Sequence, residues 1–314
     1  MSILRNDAIT GNKVIITENR ANRPFDINAP KSDLSQCPFC PGNEEQTPPH
    51  LFTNGLPWTI RVVPNKFPAL DNELSNDEYG MFSSKNITGS HYVIIDSDKH
   101  YNYFHDMEID ELTELLYSYS WIMDKLYEEE TTRYVQLFKN YKKEGGSSLE
   151  HTHSQVVALS FLPEHLKTVL KNTEAFYNQS KKCLFCEMLE KEIENNSRII
   201  LDSKYFLAFA PYASMLPYEF SIFPKLHSSN FSNMTNDQYK DLSMVLKNLF
   251  AKLYTNLNNP AYNLYIQSIN EEKTSFHWSI RIVPRMNIQA GFELSTGVML
   301  NPISPEQTKT ILSL

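Results

Sequence analysis

His151-Thr-His153-Ser-Gln155, reached through the loop Gly145-Gly-Ser-Ser148, is the stretch on which the reading of this 314-residue chain turns. On an extended strand, side chains two apart share a face. His151, His153 and Gln155 therefore line up on one side, and Thr152 points to the other. A second stretch, Phe276-His277-Trp-Ser279-Ile-Arg281, repeats the spacing from its histidine onward, with Ser279 in the place of His153.

Tracing outward from the two stretches extends the match. About 50 residues before His151 and His277 stand His100 and His227, each closing a strand-like run, His91-Tyr-Val-Ile-Ile-Asp-Ser-Asp-Lys-His100 and Tyr218-Glu-Phe-Ser-Ile-Phe-Pro-Lys-Leu-His227. Each of these histidines is followed by Phe at the fourth position (Phe104, Phe231) and Met at the seventh (Met107, Met234). Apolar residues then recur at helical spacing, through Ile109, Leu112, Leu115, Leu116, Ile122, Met123 and Leu126 in the first half and Leu242, Val245, Leu246, Leu249, Phe250 and Leu253 in the second. Asp106 is a candidate cap for the first helix, and Thr235-Asn-Asp-Gln238 has the pattern of a capping box for the second. Strand-like runs follow, Tyr134-Val-Gln-Leu-Phe and Tyr262-Asn-Leu-Tyr-Ile. Each half therefore reads C-x-x-C, strand, His, helix, strand, His, strand. An internal duplication accounts for that order and predicts an α+β fold of two tandem units, antiparallel sheets with helices packed on one side. Polar and proline-bearing sequence over 161–182 breaks the pattern, giving an N-terminal unit over 1–170 and a C-terminal unit over 171–314.

All four cysteines lie in two pairs, Cys37/Cys40 and Cys183/Cys186. In a reducing compartment such pairs favour metal over disulfide; a redox pair and inert buried thiols are the competing readings. Pro38 inside the first pair and Pro41-Gly42 after it read as a turn, not as the strand-to-helix junction of a redox motif. With two histidines per half, the sets Cys37, Cys40, His100, His151 and Cys183, Cys186, His227, His277 each make a closed four-ligand site suited to structural zinc. The remaining histidines have plainer readings: His50 and His165 in loops or on the surface, His91 and His105 packed or exposed near strand ends.

A formal charge of −8 argues against general nucleic-acid binding, although a local cluster of cations can still hold a small phosphate. No apolar run approaches the roughly 20 residues that span a bilayer, and the first residues lack the apolar core of a secretory leader. The expected location is the cytoplasm, with no membrane partner.

His-x-His-x-Gln after a Gly/Ser-rich loop resembles the active-site motif of the galactose-1-phosphate uridylyltransferase family, within the histidine-triad superfamily. Arg20-Ala-Asn-Arg23-Pro24, Cys37-Pro-Phe-Cys40-Pro-Gly, Arg61-Val-Val-Pro-Asn65-Lys66-Phe-Pro68, Phe276-His-Trp and Gly291-Phe-Glu293 are similar to further family segments, so the likeness runs along nearly the whole chain. It implies a ping-pong reaction. His153 attacks the α-phosphorus of a nucleoside diphosphate sugar, a nucleotidyl-histidine forms, and an acceptor phosphate then takes the nucleotidyl group. The resemblance further implies a backbone carbonyl on the second nitrogen of His153 and a donor role for Gln155 toward a nonbridging oxygen. Arg20, Arg23, Arg61, Asn65, Asn140, Gly146, Ser147 and Ser148 would hold nucleotide or phosphate, Phe292 and Glu293 the sugar, and two chains would pair as a homodimer. Thr152 stands where the family has Pro, Asn287 where it has a sugar-phosphate lysine, and Met299 near a family glutamine. The second cysteine pair resembles a branch that includes ADP-glucose phosphorylase. The acceptor is accordingly a sugar 1-phosphate, with a nucleoside diphosphate sugar as donor, or inorganic phosphate, in a phosphorylase whose donor is an ADP-sugar or a dinucleoside polyphosphate. A noncatalytic zinc-stabilised module is the reading furthest from these.

Overall fold

The computed structural model describes residues 2–6, 13–17, 36–70, 78–79 and 82–313. In chain order the strands are β1 (Ser2–Asn6), β2 (Lys13–Thr17), β3 (Phe52–Thr53), β4 (Arg61–Pro64), β5 (Glu78–Tyr79), β6 (Phe82–Asn86), β7 (His91–Ile95), β8 (Tyr134–Tyr141), β9 (His153–Leu159), β10 (Ile199–Asp202), β11 (Phe206–Phe209), β12 (Phe220–Pro224), β13 (Tyr262–Gln267) and β14 (Ser279–Pro284). The helices are α1 (Ile109–Tyr127), α2 (Glu164–Ser180), α3 (Leu184–Asn195), α4 (Asn236–Asn256), α5 (Gly291–Thr296) and α6 (Pro305–Ser313). Among the described residues, no helix is long and apolar enough to cross a membrane.

The duplication is visible in the sheet. Ten strands form one antiparallel sheet in the order β10-β11-β12-β14-β13-β8-β9-β7-β4-β3, so each half contributes five strands in mirrored sequence. The halves meet at β8 and β13, where Leu137 pairs with Ile266 and Phe138 with Tyr265. A smaller sheet has the order β2-β1-β6-β5, and Ile15 of β2 packs in one cluster with Val157 and Leu159 of β9.

One main core lies under α1 and α4. Leu112, Leu115, Leu116, Ile122 and Met123 from α1 and Leu242, Val245, Leu246, Leu249 and Phe250 from α4 bury against Ile94, Leu137, Val156, Ala208, Leu264 and Ile280 of the sheet. Burying that many large apolar side chains, each contributing about 1.5–3 kcal/mol, is what holds the helices to the sheet. The opposite face divides. In the first half it carries the cysteine loop, with Phe39 and Trp58 packed on Val63, Val93 and Ile95. In the second half it carries α3, whose Leu189 packs on Leu207, Phe209 and Phe223. Helices thus cover both faces of the second half, because β11 is apolar on both sides: Phe206 and Ala208 face α4, Leu207 and Phe209 face α3.

Thr235 and Gln238 cap α4 reciprocally, at 3.3 and 2.7 Å. The first helix departs from expectation. Its cap is Glu108, whose N–H donates to Glu111 (2.9 Å), and Asp106 instead accepts from the Tyr103 N–H (3.3 Å), closing the preceding turn. The stretch 161–182 contains α2, which packs Leu166, Val169 and Leu170 against Tyr134, Ile269 and Phe276.

Candidate active site and metal centres

His151 and His153 bracket the start of β9 on the face away from α1. His153 is buried (5% exposed), its ring edge-on to Phe39 at 5.4 Å between centroids, and it lines a cavity of about 430 Å³. Its Nδ1 lies 2.7 Å from the His151 carbonyl oxygen. An oxygen there can only accept, so the proton sits on Nδ1 and the lone pair of the neutral ring is on Nε2. That is the tautomer a nucleophilic imidazole needs.

The carbonyl that does this is itself anchored. His151 is fully buried, and its Nε2–H donates to the Ser97 carbonyl (2.8 Å) while Nδ1 turns to Cys37 (3.6 Å) and Cys40 (3.5 Å). His100 Nδ1 lies 3.3 Å from the Cys40 sulfur. These separations match the roughly 3.5 Å S···N edge of a tetrahedron with zinc–ligand bonds of about 2.3 and 2.0 Å. All four donor atoms lie within 4.8 Å of one another. Burial pushes the His151 imidazole down to about 4 and also lowers that of His100, so both rings are neutral near pH 7, as ligands must be. Burial and the neighbouring Cys37 push the Cys40 thiol up to about 11, a proton that a dication would displace. The donor set fits zinc.

The second set repeats the geometry. His227 and His277 present Nδ1 to the Cys186 sulfur at 3.3 and 3.8 Å, and their Nε2–H groups donate to the carbonyls of Lys273 (3.1 Å) and Pro224 (2.8 Å). A hydrogen bond between the two cysteines holds the Cys183 thiol below its usual range and, with burial, pushes that of Cys186 up. This set also lies within 4.8 Å and fits zinc. Ser279 takes the position that His153 holds in the first half. Beside it, Arg281 is paired with the buried Glu219 at 2.9 Å.

On the helix side of β9, a buried polar cluster backs the motif. Lys139, 1% exposed, donates to Asp96 (2.6 Å), to the Thr152 hydroxyl (2.9 Å) and to the His153 carbonyl (3.1 Å). Asp96 also accepts from Ser154 (3.0 Å) and Tyr119 (3.3 Å), and its backbone N–H donates to the Thr152 carbonyl (3.2 Å). The phenol of Tyr119 is pushed well above its usual range by burial and by Asp96, so it is neutral here. Thr152 is therefore a hydrogen-bonded member of the site's support.

The cavity unites several residues picked out by sequence. Asn65, Ser148, His153 and Gln155 line it together with Pro38, Phe39, the Glu45–Pro48 turn, and Lys66 and Phe67. Arg61 sits behind this wall, stacked on Trp58 at 5.0 Å and donating to Thr47 at 3.1 Å. Asn140 accepts from Asn263 (2.8 Å), whose amide also donates to the Gly145 carbonyl (2.7 Å), and so ties the glycine loop to β13. Gly146 adopts φ +86°, a left-handed conformation suited to glycine, and the Ser147 hydroxyl donates to the Leu149 carbonyl at 2.8 Å. Phe292 is half exposed, and Glu293 accepts the Ala290 N–H (3.1 Å) to start α5, away from the cavity's lining. Arg20 and Arg23 lie outside the described residues.

Sequence reading passed over His91. It is buried on β7, and its ring meets both Gln155 (3.0 Å) and Asn65 (3.1 Å). The only signal was its position in a strand beside the motif. His105, expected near a strand end, lies instead in the turn before α1, paired with Asp106 (3.4 Å) and packed beside Tyr254.

Comparison with known proteins gives concordant results. The family model described as a domain of unknown function, DUF4921, matches residues 59–313. ADP-glucose phosphorylase of Arabidopsis thaliana is 32% identical over 98% of this chain and 92% of its own length. Galactose-1-phosphate uridylyltransferase of Thermotoga maritima is 27% identical over 98% and 96%. The crystal structure of the Arabidopsis ADP-glucose phosphorylase with bound ADP-glucose superimposes with a TM-score of 0.79 at 30% identity, covering 99% of this chain and 98% of that one.

Proposed function

We propose, since this chain belongs to the DUF4921 family and with it to the galactose-1-phosphate uridylyltransferase family, that it is a nucleotidyltransferase moving a nucleoside monophosphate from a nucleoside diphosphate sugar to a phosphate acceptor through His153. The observation that carries the reading is the 2.7 Å hydrogen bond from His153 Nδ1 to the His151 carbonyl, which puts the ring's lone pair on Nε2, the nitrogen that attacks.

In the first step Nε2 forms a bond to the α-phosphorus, and the bond from that phosphorus to the bridging oxygen breaks. Sugar 1-phosphate departs with the electron pair. The imidazole, now positively charged, keeps its Nδ1–H on the carbonyl dipole, which favours the intermediate. In the second step an acceptor phosphate oxygen attacks phosphorus and His153 leaves as the neutral ring. Gln155 donates to a nonbridging oxygen in both steps. Zinc at the first site would be held by Cys37, Cys40, His100 and His151, with every position filled by protein, and would supply no chemistry to the substrate. It fixes the strand that carries the nucleophile.

With a sugar 1-phosphate acceptor the chain is a uridylyltransferase-type enzyme. With inorganic phosphate it is a phosphorylase, a second reading favoured by the 32% identity to ADP-glucose phosphorylase and by Asn287 in the place of a sugar-phosphate lysine. Residues 1–170 form the catalytic unit and 171–314 the degenerate one. Largely exposed Ile288 and Leu294, with half-exposed Phe292, suit burial against a second copy as a homodimer, and reduced cysteine ligands suit the cytoplasm. Intact mass spectrometry after mixing with UDP-glucose or ADP-glucose tests the proposal. A gain of one nucleoside monophosphate, absent in His153→Ala, is expected. A wild-type protein that takes up neither nucleotide refutes it.

A further inference from the structure

We infer that His91 is a positioning residue: it fixes which end of the Gln155 side chain faces the reacting phosphate. The inference rests on the nucleotidyl-transfer reading above and adds to it the device that orients its amide donor.

The orientation follows from two backbone N–H groups. Ala69 N–H lies 3.0 Å from His91 Nδ1. A backbone N–H has only a proton to give, so Nδ1 carries the lone pair and the ring proton is on Nε2. That Nε2–H lies 3.0 Å from Gln155 Oε1 and donates to it. Asn65 is set in the same way. Its Oδ1 accepts from the Phe67 N–H (2.9 Å), which turns its NH₂ toward the same Gln155 oxygen at 3.3 Å. The 3.1 Å between Asn65 Nδ2 and His91 Nε2 is then the third side of a triangle, two donors converging on one acceptor.

Both lone pairs of Oε1 are thereby filled, and the planar amide has one other end. Its NH₂ group is the end left to face the cavity that Gln155 and His153 both line. Turning the amide over would set two donors against two donors. The positioning also links substrate recognition to chemistry, since Asn65 and Phe67 line the cavity on the loop that supplies Ala69 N–H.

The second half shows the alternative. Val93 pairs with Gln155 across β7 and β9, and Ser221 pairs with Arg281 across β12 and β14. Two residues back from these stand His91 and Glu219. Where the first half sets an imidazole donor against a glutamine oxygen, the second sets a carboxylate against a guanidinium, at 2.9 Å. The polarity of the pair is reversed, and no amide faces outward.

The test measures the rate of His153 labelling by UDP-glucose or ADP-glucose, whichever marks the wild-type protein, at saturating donor and with zinc content checked. Gln155→Leu is expected to slow labelling by about 10²–10³-fold, the range for loss of one oxyanion donor. His91→Leu should slow it comparably at unchanged zinc content. The double variant should be no slower than Gln155→Leu alone, because both changes remove one function. His91→Gln, whose amide N–H can replace Nε2–H, should recover most of the rate. His91→Glu, nearly the same size but an acceptor, should not, and this pair decides the matter if His91→Leu does not fold. Losses that multiply in the double variant, or equal rates for His91→Gln and His91→Glu, overturn the role of His91 alone. Absence of label on the wild-type protein overturns both this inference and the reading beneath it.

Discussion

Replacing Lys139 by Met probes how the strand that carries His153 is held. The side chain is 1% exposed and its partner Asp96 is 0% exposed, so removing the ammonium leaves a carboxylate in the core with only hydroxyl donors, Ser154 at 3.0 Å and Tyr119 at 3.3 Å. Breaking a buried ion pair by deleting one partner costs about 3–5 kcal/mol, most of it the uncompensated charge and not the lost contact. The double variant Lys139→Met/Asp96→Asn removes that charge while keeping an acceptor for Ser154. Its remaining deficit is the bonds Lys139 made to Thr152 (2.9 Å) and the His153 carbonyl (3.1 Å), about 1 kcal/mol each. The double variant should therefore be more stable than the single one by about 1–3 kcal/mol. Urea denaturation at saturating zinc, comparing midpoints and slopes, measures both differences. A single variant costing less than about 1 kcal/mol, or a double variant no more stable than the single, would refute the claim that an isolated charge dominates.

Elemental analysis should find two zinc per chain, and Cys40→Ser should retain one while losing His153 labelling, since His151 would no longer be anchored. Gly89→Ala places a Cβ 2.1 Å from the Ala158 carbonyl oxygen and 2.7 Å from Leu70, and should cost about 1–3 kcal/mol in urea denaturation; a neutral effect would show that the strand can shift. Glu44 accepts from the Trp58 indole at 2.8 Å, which holds its carboxyl below the usual range. Its contribution is full above its unfolded value and is lost as pH falls through the lowered folded one. Tryptophan emission should therefore change below about pH 4 in the wild-type protein, and that component should vanish in Glu44→Gln.

The sequence made the duplication legible because its markers are local and chemically distinct: paired cysteines, spaced histidines and helical apolar periodicity. The eight proposed ligands come together as two clusters for the same reason. What it hid depends on register and on backbone donors. His91 looked unremarkable because matching the halves at His100 and His227 set it against Tyr218, whereas strand pairing sets it against Glu219. The first half has one more residue between strand and ligand. Its partner Ala69 N–H leaves no trace in residue type. Lys139 was equally invisible, since a lysine in a strand reads as a surface residue until Asp96 is found beneath the sheet. Asp106 failed as a cap because Glu108, two residues on, stands at the helix start with Glu111 to answer it.

The pairing of Leu137 with Ile266 and of Phe138 with Tyr265 has an implication for how such a chain can arise and be cut. Matched through the strand register, with Gln155 equivalent to Arg281, 137 corresponds to 264 and 138 to 265, so the seam maps onto itself under a half-turn centred on the Phe138–Tyr265 pair. A self-complementary border of this kind would let the first repeat, expressed alone, join a twin along the same strand instead of leaving a sticky rim. Covalent fusion then removes the obligation for both copies to stay alike, and the second carries Ser279 where the first carries His153, within the same strand frame.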